Sequence, residues 1–258
     1  MSETLGHIVV GSGPLRVIAL NDWICDTTTW DFVRPLFDAE RFSWALVDLR
    51  GYGRSRAIEG DYTLAEASGD VLRTADTLGW DHFSLIGHSM SSLVVLHVGQ
   101  TAAERIDKIV VIAPPPPAGL GADEATALYL KGVALGNPAQ RSAGLDAMWG
   151  DRLSERWRAY KAERWERAAN AKAAAGYVDM FARHGLPDPQ LQVLAPVLAL
   201  TGEQDAEIMR SDAVLRALSP LCPDFSIQPI QEVGHYPMQE APPLTYTLVE
   251  RFLASAEG

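Results

Sequence analysis

Short apolar runs alternate with longer amphipathic stretches along most of this chain. Runs at 16–20 (RVIAL), 43–48 (SWALVD), 82–86 (HFSLI), 108–113 (KIVVIA), 196–201 (PVLALT) and 226–230 (SIQPI) end at Gly, Pro or polar residues and predict strands. Helical periodicity predicts helices near 28–39, 63–79, 89–103 and 209–218, and a last one near 241–255. Thr63 and Glu66 form a capping box that sets the start of the helix over 63–79. Gly6–Val10, followed by a GSGP turn, predicts an antiparallel strand at a sheet edge. The alternation implies βαβ units, hence an α/β fold with a mostly parallel sheet flanked by helices.

Residues 114–190 break that rhythm. Four prolines, Pro114–Pro117, force an extended exit from the strand before them, and GLPDP at 185–189 closes the segment. Between these stops the pattern is helical to about residue 184. The expected organisation is a core made of 1–113 and 191–258, with 114–190 as a helical insertion. No internal repeat is visible.

With 258 residues, 47% of them hydrophobic, the chain can bury a large core. A net charge of −11 excludes the clustered basic face that nucleic acid needs. No run approaches the apolar length of a membrane span, and MSETLGHIVV lacks the pattern of a signal peptide. Cys25 and Cys222 suggest no disulfide framework, so a reducing cytoplasmic compartment is expected. A small-molecule substrate is the expected partner, and a homo-oligomer is left open.

The candidate chemistry begins at LIGHSMSS, 85–92. A strand ending at Leu85–Ile86, a sharp turn and a helix from Met90 are the setting of a nucleophile motif G-x-S-x-G, with Ser91 in place of its last glycine. A serine needs a base and an orienting acid. GHYPMQEAP places His235 just after the strand at 226–230, and TGEQD places Asp205 just after that at 196–201. Ser89, Asp205 and His235 each follow the carboxyl end of a predicted parallel strand, where open α/β sheets bind ligands. Glu203, Glu207 and Asp212 are weaker candidates for the acid. His7, His82 and His184 show no ligand spacing, so no metal is expected. His97 and Met238 are expected to pack.

These segments, together with DLRGYGRS at 48–55, resemble the α/β-hydrolase superfamily over nearly the whole chain. The resemblance implies that Ser89 is a nucleophile, His235 its base and Asp205 the acid that orients the histidine. It also implies that 114–190 is a cap over the nucleophile, with an apolar pocket. Asp22, His88, Trp149, Trp157, Tyr160 and Tyr236 are candidates to line that pocket. Cleavage of a small, largely apolar ester or lactone through an acyl-enzyme, without a cofactor, is the expected activity. Members that open epoxides or displace halides carry Asp at the nucleophile position, which disfavours those reactions here.

A second departure lies in ALNDWICDTTTW, where Asn21-Asp22 replaces the family's usual His-Gly. The backbone amides of Trp23 and Met90 then become the expected oxyanion hole. Asn and Asp tolerate left-handed backbone, so the loop is expected to keep its shape. An ionised Asp22 would oppose a developing oxyanion, so its side chain should point away or be paired. Asp26 reads as a loop or helix cap before Trp30. Trp23 with Asp26 three residues on also resembles cofactor-free ring-cleaving dioxygenases, which use a His–Asp pair as base. A ligand-binding homologue with weak catalysis is a third alternative.

Overall fold

The computed structural model describes residues 4–149 and 152–255, with the side chain of Trp149 outside the described residues. Its strands are β1 (His7–Val10), β2 (Leu15–Leu20), β3 (Phe42–Val47), β4 (Phe83–His88), β5 (Ile106–Ile112), β6 (Val197–Gly202) and β7 (Phe225–Ile230). They form one sheet in the order β1-β3-β2-β4-β5-β6-β7, antiparallel only where β1 meets β3. Every residue of β3, β4 and β6 is buried, as expected of strands covered on both faces. On β7 buried and exposed positions mix, and Pro229 is tolerated because the outer edge of that strand has no ladder partner.

The helices packed on the sheet are α1 (Leu64–Leu78), α2 (Met90–Thr101), α7 (Ser211–Leu218), α8 (Pro237–Glu240) and α9 (Pro242–Ala254). At the start of α1 the Thr63 hydroxyl accepts from the Glu66 amide, while Glu66 reaches back to the amide of Tyr62. Residues 28–39 do not form the predicted helix. Two short 3₁₀ turns, Thr27–Trp30 and Arg34–Leu36, stand there instead. Three successive β-branched threonines and Pro35 oppose a regular helix, and buried Trp30 and Val33 supplied the misleading period.

The chain leaves β5 into α3 (Glu124–Ala134), α4 (Pro138–Trp149), α5 (Glu155–Ala168) and α6 (Ala171–Val178), then a π-helical turn over Asp179–His184 before β6. The two ends of this insertion are stitched together. Leu120 and Ala122 donate to the carbonyls of Phe181 and Ala182, and Leu186 donates to that of Pro117. Gly185, at φ +62, sits so close to the Pro117 carbonyl that a β-carbon would collide with it. Among the described residues no helix is long and apolar enough to cross a membrane. Cys25 and Cys222 are both buried free thiols.

Candidate active site

In this sheet the loops after β2 and β4 leave neighbouring strands whose chain connections run in opposite directions, the crevice where α/β sheets bind ligands. Ser89 occupies the turn from β4 to α2 at φ 51 and ψ −120, a conformation rare for a residue with a side chain. Its amide donates to the carbonyl of Ile112 on β5 at 2.8 Å, and its own carbonyl accepts from Ser92 at 2.9 Å. The turn leaves no room at Gly87, where a β-carbon would lie 2.5 Å from the Ser91 carbonyl oxygen. Ser91 fits because its hydroxyl is used: it accepts from the His88 amide at 2.9 Å and donates to the His88 carbonyl at 3.1 Å.

His235 and Asp205 converge on this turn. Ser89 Oγ is 2.9 Å from His235 Nε2, and His235 Nδ1 is 2.8 Å from Asp205 Oδ2. All three side chains are buried. The loops after β6 and β7 approach so closely that a β-carbon at Gly202 would strike the Gly234 carbonyl. Glu240 on α8 sets the histidine loop by accepting from the amides of Gly234 and Tyr236, and Arg152 of the insertion pairs with it at 3.0 Å. Burial alone would hold the His235 imidazole neutral, but the charge and hydrogen bond of Asp205 outweigh it and raise the pKa above 6.5. For Asp205, burial raises the pKa while His235 and the Ala206 amide lower it further, and the net shift is downward. Glu203 is spent elsewhere, accepting from Thr201 and from the Ser211 amide at the start of α7.

The loop after β2 is built differently from its sequence expectation. Left-handed backbone falls at Ile24, φ 56, and not at Asn21 or Asp22. Asn21 instead braces the loop, donating to the carbonyls of Asp22 and Cys25 and accepting from the amide of Leu49. Asp26 caps the 3₁₀ turn over Thr27–Trp30 by accepting from the Thr28 amide. Asp22 is buried with its Oδ2 3.5 Å from His88 Nδ1. The indole of Trp23 donates to the Ala174 carbonyl of α6 at 2.7 Å, fastening this loop to the insertion. Met90 is the first residue of α2, where an amide has no intrahelical acceptor.

Above Ser89 lies a cavity of about 240 Å³, bordered by Asp22, Ser89, Asp205 and His235 on one side. The other walls are apolar and come largely from the insertion, notably Leu130, Val133, Met148, Trp165 and Phe181. No lysine or arginine lines it among the described residues. Several pocket candidates lie elsewhere. Trp157 and Tyr160 turn to the outer side of α5, where their rings meet Phe32. His88 and Tyr236 are fully buried behind His235 rather than in the cavity. The Trp149 side chain lies outside the described residues. Trp165, Phe181 and Tyr129 were visible in the sequence only as aromatics of the insertion. No periodicity told which face of its short helices turns inward.

Asp22, His88 and His235 come close enough together to be considered as a metal site. Both nitrogens of His235 face Ser89 and Asp205, and His88 Nε2 is 2.7 Å from the His235 carbonyl oxygen. That leaves one histidine nitrogen and one carboxyl, too few to enclose a cation.

The model of the α/β hydrolase fold matches residues 19–242. Fluoroacetate dehalogenase from a Burkholderia species is 26% identical over 290 residues, covering 99% of this chain and 92% of that protein. The pimeloyl-[acyl-carrier protein] methyl ester esterase of Citrobacter koseri is 32% identical over 107 residues, 41% of this chain and 39% of the esterase. Among solved structures, the enol-lactonase from Burkholderia xenovorans LB400 aligns with a TM-score of 0.79 at 22% identity, covering 96% of each chain.

Proposed function

The chain belongs to the α/β-hydrolase fold family, and from that premise we propose that it is a serine hydrolase cleaving a compact, largely apolar ester or lactone. The observation that carries this reading is the line Ser89 Oγ, His235, Asp205, with contacts of 2.9 and 2.8 Å, at the base of an apolar cavity. Ser89 Oγ attacks the carbonyl carbon as its proton passes to His235 Nε2. The imidazolium formed is held by Asp205, which accepts from Nδ1 and keeps the ring in one tautomer. The backbone amides of Trp23 and Met90 donate to the oxyanion. As the carbon–oxygen bond to the leaving group breaks, Nε2 returns the proton to that oxygen. Water then repeats the sequence on the acyl-enzyme, releasing the acid and restoring Ser89. A serine nucleophile supports acyl transfer over the carbon–halogen chemistry in the name of the Burkholderia relative.

The insertion serves as the cap, since its side chains make most of the apolar wall above Ser89. The test is a fluorophosphonate probe read by intact mass, with Ser89→Ala and His235→Ala in parallel. One adduct on the parent protein, absent from both variants, is expected. Folded parent protein that takes no adduct overturns acyl transfer at Ser89.

A further inference from the structure

The insertion holds a second cavity whose lining differs in kind from that above Ser89. It measures about 220 Å³ and lies between α4, α5 and the turn that joins α3 to α4. The catalytic cavity has no lysine or arginine among its described walls, whereas this one is bordered by Arg141 of α4 and Arg158 of α5. Among the described residues Trp165 alone borders both.

The two guanidinium groups are fixed by the fold. Arg141 Nε and Nη2 donate to the carbonyls of Val133 and Ala134 at 2.9 and 3.3 Å, in the last turn of α3, where carbonyls lack intrahelical donors. Arg158 Nη2 donates to Ser142 Oγ at 2.6 Å, and its Nε pairs with Asp146 at 2.9 Å. Arg141 has no carboxylate partner among the described residues, and only carbonyls meet its charge. Neither Nη1 group makes a hydrogen bond to the described residues. A guanidinium already held in place presents its remaining donors at a reduced ordering cost. Pro138, Leu145, Ala162 and the indole of Trp165 supply the apolar part of the lining.

We propose that this cavity is a second ligand site, taking a short-chain monocarboxylate. Its carboxylate lies on Arg141 and Arg158, and its alkyl tail on Leu145, Ala162 and Trp165. A planar carboxylate matches the guanidinium fork. The apolar walls favour a tail, which an inorganic anion lacks. Glu166, whose side chain is exposed, borders the same space and, with the net charge of −11, opposes a second negative charge on the ligand. An occupant touches the indole that walls the catalytic cavity but none of Ser89, His235 and Asp205. The site therefore stands whether or not Ser89 is a nucleophile.

The experiment is isothermal titration of the parent protein with hexanoate, hexanol and inorganic phosphate. Saturable binding of hexanoate is expected, with an affinity about tenfold or more above that of either control, because the alcohol lacks the charge and phosphate lacks the tail. Arg141→Met is expected to lower the hexanoate affinity by about tenfold or more. Since Arg141 also holds the end of α3, Ala162→Phe is measured beside it. That variant keeps both guanidinium groups and fills the space, and it too is expected to lose binding. Circular dichroism checks the folding of each. No saturable binding of hexanoate by the parent overturns the proposal. Equal binding of either control overturns it as well, since charge or apolar surface alone then accounts for the heat. Hexanoate affinity unchanged in either folded variant also overturns it, because the ligand then sits elsewhere, the catalytic cavity included.

Discussion

Ser91 stands where the nucleophile motif ordinarily has glycine, and its hydroxyl both accepts from and donates to the backbone of His88. Restoring the motif by Ser91→Gly removes the acceptor of a buried amide, which costs about 1–3 kcal/mol. The expected outcome is a lower urea midpoint for Ser91→Gly than for the parent, with an unchanged m-value. The flanking Gly87 behaves in the opposite way, because the space its side chain would need is filled by the Ser91 carbonyl. The meeting of Ser89, Asp205 and His235 was legible at this scale because each follows an apolar strand and the proposed reaction needs all three. The bonding of Ser91 was not legible, since it depends on a turn that brings residues 88 and 91 together. Nor was the left-handed backbone at Ile24, a β-branched residue that rarely adopts it.

Among the elements, α3 and α4 give the cavity most of its helical wall, and one large side chain comes from α5. Its Trp165 borders the space above Ser89 and also a second cavity of about 220 Å³ inside the insertion. Trp165→Ala therefore joins two spaces that the indole keeps apart. The rate profile across p-nitrophenyl esters from acetate to octanoate is expected to shift toward longer acyl chains. A stability loss of about 3–5 kcal/mol is expected alongside, as for other buried aromatics cut back to alanine. An unchanged chain-length preference in folded variant would show that Trp165 does not limit the cavity. The sheet strands were legible because burial on both faces makes their sequence continuously apolar. The inward face of α5 was not, because Trp157, Tyr160 and Trp165 are all aromatic, and Phe32 on the core takes the first two. Where propensity and period disagreed, at 28–39, Pro35 and the threonines prevailed over the spacing of Trp30 and Val33.

For the molecule as a whole, charge and cavity point the same way. A net charge of −11 surrounds a cavity lined by two acids and no described cation. An ester bearing a carboxylate should have kcat/KM lower by about tenfold or more than its neutral methyl ester. Added salt should narrow that gap, because screening weakens the long-range part of the repulsion. Equal rates for the two esters at low ionic strength would contradict this. The division of the chain into an α/β core and a helical segment was legible from the prolines at 114–117 and the stop at 185–189. The ties between them were not, because each joins residues far apart in sequence. Trp23 is fastened to α6, Lys161 reaches Gln239, and Arg152 holds the same Glu240 that shapes the loop of His235. The insertion is thus no interchangeable part. A chimera that took this segment from a relative would strand Gln239 and Glu240 without their cations and slacken the histidine loop. An exchange that preserves turnover has to move residues 114–190 and the loop at 232–240 as one unit.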